Sequence, residues 1–149
     1  MSTEHEKIVD QLEEILEKNR DAEKGYSKAA ENAESPDLKS YFQRKSSERK
    51  DFNALLKSKM LTAYDEIDDG GSFTGTIHRT WMDVKALFSG DDDEAMLEEA
   101  IKGDKAAVDE YEEILEEGNL PVDIAECIQN QKVKIQKDLA DANKLENLA

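Results

Sequence analysis

The sequence predicts an all-α fold, a bundle of four long helices, and three observations carry that prediction. Apolar residues recur at alternating three- and four-residue steps along four separate stretches, the period of a helix that buries one seam. Two of the three breaks between those stretches are tight turns, and the middle one, residues 68–91, is long. Only two prolines and seven glycines interrupt the 149 residues, a composition suited to long helices rather than to strands and turns. At this length one domain with its own core is expected, over residues 1–149.

The first helix is predicted over about residues 3–34, with a seam of Ile8, Leu12, Ile15, Ala22, Tyr26, Ala29 and Ala33. Asn19 fills the one missing step. Ser35-Pro36 ends it, because the residue before a proline is pushed out of the helical region. The same pair starts the second helix, about 36–67, with Ser35 as N-cap and Pro36 in the first turn. Its core candidates are Leu38, Tyr41, Phe42, Phe52, Leu55, Leu56, Met60, Ala63 and Ile67. The third helix, about 92–117, is capped from the acidic run Asp91–Glu94 and carries Leu97, Ile101, Val108, Tyr111, Ile114 and Leu115. Gly118-Asn119 closes it, and Pro121 opens the fourth helix, about 121–147, with Ile124, Ile128, Ile135, Leu139 and Ala142.

The connections decide the topology. Within 68–91, residues 77–88 form a predicted short amphipathic helix with Ile77, Trp81, Val84, Leu87 and Phe88 on one face. An extended stretch plus that helix reaches roughly 45 Å, the length of a thirty-residue helix. The chain can therefore return to its starting end before the third helix begins. Two antiparallel hairpins joined by one long crossover make the ferritin-like arrangement.

The segment Ser72–Phe88 with Gly90, the run Leu97–Asp104 leading to Tyr111-Glu112-Glu113, and Gly25-Tyr26 carry a resemblance. With these the chain resembles a bacterial family of small four-helix-bundle proteins of unknown function in the ferritin-like superfamily. That resemblance implies the fold and no activity.

Charge narrows the partners. Twenty basic against 36 acidic residues give a net charge of −16, which repels nucleic acid and anionic lipid. One cysteine, Cys127, excludes an internal disulfide and reads as a small buried hydrophobe. The charged first residues contain no apolar leader and no stretch approaches a membrane span, so a cytoplasmic location is expected.

A di-iron or di-manganese centre in such a bundle needs Glu-x-x-His pairs on two helices. The two histidines, His5 and His78, follow Ser2 and Gly75 at that spacing, so the usual ligand pattern is absent. Each seam is nevertheless interrupted near its middle: by Asn19 with Glu23 beside it, by Lys45, Glu48 and Arg49 within an apolar-free run from Gln43 to Asp51, by Asp104, and by Gln131. Counting from the turns sets Glu23 level with Glu48, and Asp104 near Gln131 and Lys134. One central polar layer of Asn19, Lys45, Arg49, Asp104 and Gln131 is predicted, satisfied internally because an unpaired buried charge costs several kcal/mol. On this reading Asp104→Leu is expected to be tolerated.

Two functions are consistent with these residues. The preferred one is a non-enzymatic ferritin-like bundle without cofactor, acting through association, with a stress-response role by fold analogy. The alternative is an oxidoreductase or storage protein with an oxygen-rich iron or manganese centre at Glu23, Glu48 and Asp104. A homodimer is the default assembly, and the crossover face near Trp81 is a candidate surface for a protein partner.

Overall fold

A computed structural model describes residues 4–64, 92–118 and 120–148, with side chains from residue 7 to residue 145 within those bounds. The predicted crossover helix 77–88, with His78 and Trp81, lies outside the described residues, as do Ile67 and the side chain of His5. Four helices form the fold: α1 Glu4–Asn32, α2 Pro36–Ala63, α3 Asp93–Glu116 and α4 Val122–Leu148. No helix of the described residues is long and apolar enough to cross a membrane.

The ends follow from local chemistry. Ser35 has extended backbone and its hydroxyl accepts from the Leu38 amide, with Pro36 opening α2. Asp92 caps α3 by accepting from the Ala95 amide at 2.7 Å. Gly118 follows α3 at φ +76°, a left-handed conformation that lets the chain turn back. Helix α2 stops at Ala63, where Tyr64 turns extended with its amide on the Met60 carbonyl.

Helices α1 and α2 pack antiparallel along most of their length, as do α3 and α4. The hairpins meet antiparallel too, with Tyr26 of α1 opposite Asp104 of α3 and Lys45 of α2 opposite Asp138 of α4. The Asp93 carboxylate at the start of α3 accepts from the amides of Glu34 and Ser35 at the α1–α2 turn. Helices α2 and α3 therefore both start at the Ser35 end and run parallel. This is the ferritin-like arrangement, not an up-down-up-down bundle.

The apolar core divides in two. One part is rich in aliphatic side chains, including Ile8, Leu12, Ile15, Leu56, Ile114, Ile128 and Ile135, with Phe52, Tyr64 and Tyr111 among them. The other, near the Ser35 end, combines Ala22, Ala29, Ala100 and Ala142 with Tyr26, Phe42 and Met96. Leu55, expected inside, is 49% exposed, and Ala63 is also exposed. Leu55 and Leu56 point about 100° apart on α2, and here Leu56 takes the buried position while Leu55 faces outward.

A Cβ added at Gly118 meets nothing closer than 3.9 Å, so Gly118→Ala is charged with backbone conformation alone. The expected loss is about 1 kcal/mol, measurable as a lower urea midpoint at unchanged m-value.

Candidate functional site

Between the two halves of the core lies a set of polar side chains that the seam interruptions deliver. On α1 they are Asn19 and Tyr26, on α3 Asp104 and Tyr111, and on α4 Gln131 and Asp138, so on each of these helices the two lie seven residues apart. Seven residues is two helical turns on one face, and the contacts accordingly form two layers.

The first layer centres on Asp104, which is fully buried. Its Oδ2 accepts from Lys45 Nζ at 2.6 Å, and its Oδ1 accepts from Arg49 at 2.6 Å and from the Tyr26 hydroxyl at 2.9 Å. Lys45 also donates to Asp138 at 3.0 Å, and Arg44 donates to the other oxygen of Asp138 at 2.8 Å. Lys45 and Arg49 are both wholly buried, and Lys45 lies 5.1 Å from the centroid of the Tyr26 ring. Cations from α2 thus sit on anions from α3 and α4.

The second layer is a directed chain of hydrogen bonds. Arg49 donates to Asn19 Oδ1 at 2.6 Å, and Asn19 Nδ2 donates to the Tyr111 hydroxyl at 3.0 Å. Tyr111 donates to Gln131 Oε1 at 2.8 Å, and Gln131 Nε2 donates to the Phe52 carbonyl and to Cys127 Sγ. Only one orientation of each amide allows this sequence, since Arg49 has donors only. Arg49 joins the layers.

Burial and charge shape the titration of these groups. Burial pulls Arg49 down, but the adjoining Asp104 carboxylate more than compensates and its pKa is raised. Burial, and then Asp104, raise the Tyr26 hydroxyl well above its usual value. Burial likewise raises Tyr111 and Cys127. Burial alone would raise Asp138, yet the neighbouring Glu48 and the cations Lys45 and Arg44 hold it at about 2. Glu48 goes the other way: burial, assisted by Asp138 and opposed by Lys45, lifts it to about 8.

The structure brings Asn19, Lys45, Arg49, Asp104 and Gln131 to the bundle centre, but in two layers instead of one. Gln131 meets Tyr111, and the α4 residue at the level of Asp104 is Asp138, two turns further on. The predicted register of the second hairpin is therefore displaced, because the chain runs on past Gly118 before α4 starts at Val122. Glu23 is half-buried and supplies its backbone carbonyl, which accepts from Ser46 at 2.9 Å. It stands level with Ser46, and its carboxylate takes no part in the layer's ion pairs. Glu48 lies at the layer's edge, its Oε2 3.7 Å from Lys45.

Sequence reasoning missed Asp138, Arg44 and the polar roles of Tyr26 and Tyr111. A signal existed for Asp138: it falls seven residues after Gln131, the same step that separates Asn19 from Tyr26 and Asp104 from Tyr111. A second charged contact also went unread, Lys18 of α1 with Glu110 of α3 and Glu14.

Among solved structures the chain is similar to a dodecameric thioferritin, the bacterioferritin-related protein from Bacteroides fragilis. The TM-score is 0.73 at 15% identity, over 93% of this chain and 83% of that one. Identity so low speaks for the fold alone, a ferritin-like bundle. No curated protein matches the chain. The family described as Domain of unknown function (DUF2383) matches residues 7–117, well over half of the sequence, and the chain belongs to that family.

Proposed function

We propose that this protein is a non-enzymatic ferritin-like bundle that acts by association, its centre locked by ion pairs where a metal-dependent relative would hold metal. The observation that carries the reading is the seating of Lys45 and Arg49 on both carboxylate oxygens of Asp104. Two cations in contact with the best-buried carboxylate repel a divalent ion and use the lone pairs it would need. Of the three oxygen ligands the metal alternative requires, Glu23 stands apart from the layer and Asp104 is saturated. Among the described residues no group of three or more His, Cys, Asp or Glu side chains is arranged to hold a metal ion. Among the described residues, the donor set therefore favours an ion-paired centre over an iron or manganese one.

What the layer supplies instead is specificity. Every charge in it has its partner on the other hairpin, so sliding either hairpin by one turn would strand a buried ion. That makes the bundle a rigid, uniquely registered scaffold whose acidic exterior is free to meet partners. The thioferritin of similar fold is a dodecamer, which favours self-association as the first form of assembly to examine.

Elemental analysis of protein purified without chelator, then incubated with ferrous iron or manganese, should find metal far below one ion per chain. A near-stoichiometric metal that vanishes in Asp104→Asn would overturn the reading. Light scattering should give a mass above the 16.8 kDa of the monomer; a strict monomer at high concentration would count against self-association.

The geometry reverses the expectation for Asp104→Leu. Removing one partner leaves Lys45 and Arg49 buried without it, at an expected cost of about 3–5 kcal/mol. The triple change Lys45→Met, Arg49→Met and Asp104→Leu should recover most of that loss in denaturant unfolding, because apolar replacement of a whole set removes the desolvation cost as well. A single Asp104→Leu variant as stable as the wild type would show that the ion pairs do not hold the register.

A further inference from the structure

The exposed apolar side chains are not spread evenly over the bundle. Among the described residues the large ones are Leu55, Leu61, Val122 and Val133, two on α2 and two on α4. Helix α3 is the contrast, since of its exposed residues only Ala95 is uncharged. Beyond its first turn, the exposed side of α2 carries three charges, Arg44, Lys50 and Asp51, among serine, glutamine, alanine, leucine and threonine. On a chain with a net charge of −16, that is a surface where a second copy meets little repulsion.

The relief of this surface suits a helix. Two grooves flank α2, one of about 410 Å³ shared with α1 and one of about 420 Å³ shared with α4, and Ser47 lines both. The ridge between them is therefore only a serine side chain high at that point. Arg44, Ser47, Asp51 and Leu55 all line the groove on the α4 side. Their steps of three and four residues keep them on one face of the helix.

The charges on that face are ordered for self-recognition. Asp51 is exposed and has no hydrogen bond or ion pair among the described residues. Arg44 bonds Asp138 through one nitrogen at 2.8 Å, yet 47% of its side chain is exposed. A guanidinium has five donors, so its outer edge can still serve a second carboxylate. Arg44 and Asp51 stand about one turn before and one turn after the step from Ser47 to Glu48, and they are opposite in sign. A two-fold axis crossing α2 at that step sets each of them level with the other in an antiparallel second copy. Because an isologous contact repeats every pair, one match of Arg44 with Asp51 becomes two. The same operation sets Leu55, 49% exposed, level with Ser40, which is small enough to lie beneath it. Val133 on α4 has Gln129 and Gln136 at the corresponding steps, which offer no match of charge.

We propose that the outer face of α2 is a two-fold interface with a second copy of this chain. The two α2 helices cross antiparallel at Ser47, each Arg44 pairs with the partner's Asp51, and each Leu55 covers the partner's Ser40. This rests on the self-association reading above and names the surface that carries it. The paired charges fix register and reject other partners, while the apolar area withdrawn from water supplies the attraction.

Asp51→Lys sets like charges opposite Arg44 of the partner subunit and removes no ion pair within the chain itself. Sedimentation of the full chain should find the variant dissociating at a concentration about tenfold or more above that of the wild type. Its helical circular-dichroism spectrum should be unchanged. In a Cys127→Ser background, Ser47→Cys places a thiol beside the two-fold axis and should yield a disulfide-linked dimer under a mild oxidant, whereas Val133→Cys should not. Should that background fail to fold, Asp51→Lys decides alone. A wild type that stays monomeric at high concentration overturns both this interface and the self-association reading. An assembly that Asp51→Lys leaves unchanged, or that Ser47→Cys does not cross-link, overturns the α2 interface and leaves self-association standing.

Discussion

The contact on which the rest of this structure depends is the double seating of Asp104 by Lys45 and Arg49. Each of these ions, taken alone out of water, would cost several kcal/mol even after relaxation, and no apolar packing nearby could offset three such costs. Together, with short charge-assisted hydrogen bonds to both carboxylate oxygens, they become tolerable. The condition is geometric: α3 must present Asp104 between two residues of α2 one turn apart. That single condition sets the rotation and the height of α3 against the first hairpin. Asp138 extends it to α4, through the second hydrogen bond of Lys45.

The polar layers also explain why the core is divided. A bundle of this length could have been filled from end to end with leucine and isoleucine, which make up more than half of the Ile8–Ile135 part. The Ser35 half instead uses alanine at the small positions and Tyr26, Tyr41 and Phe42 at the large ones. The aromatics there serve twice. Tyr26 stacks with Phe42, donates to Asp104 and offers its ring face to Lys45, so one side chain joins the apolar half to the charged one. Phe or Leu at that position would fill the space but leave Asp104 with one donor fewer.

How much of this was legible in the sequence depends on the kind of information involved. The helices were legible because a seam of apolar residues repeats many times, and because Ser35-Pro36, Asp92 and Gly118 are local signals that need no knowledge of the rest of the fold. The parallel pairing of α2 and α3 was legible from connection length. The charged centre was legible only as a gap, an apolar-free run from Gln43 to Asp51 that a buried helix could not avoid turning inward. Which partner met which was not legible, since turn counting can err by two turns and two turns are the difference between Gln131 and Asp138. Tyr26 and Tyr111 read as core and are core; their hydroxyl groups acquire partners only when four helices are assembled. Leu55 misled for a simpler reason: next to Leu56, apolar character alone does not say which of the two faces inward.

In the central layer the buried charges are sorted by hairpin: α2 brings Lys45 and Arg49, α3 and α4 bring Asp104 and Asp138. A hairpin of the first kind set against another copy of itself would force lysine and arginine together in the absence of water, and two of the second kind would do the same with aspartates. Only the unlike pair cancels. The inner surfaces therefore carry a rule of recognition as well as an attraction, and during synthesis or refolding in a crowded solution of identical chains that rule rejects like-with-like pairing of hairpins before any apolar packing can reward it.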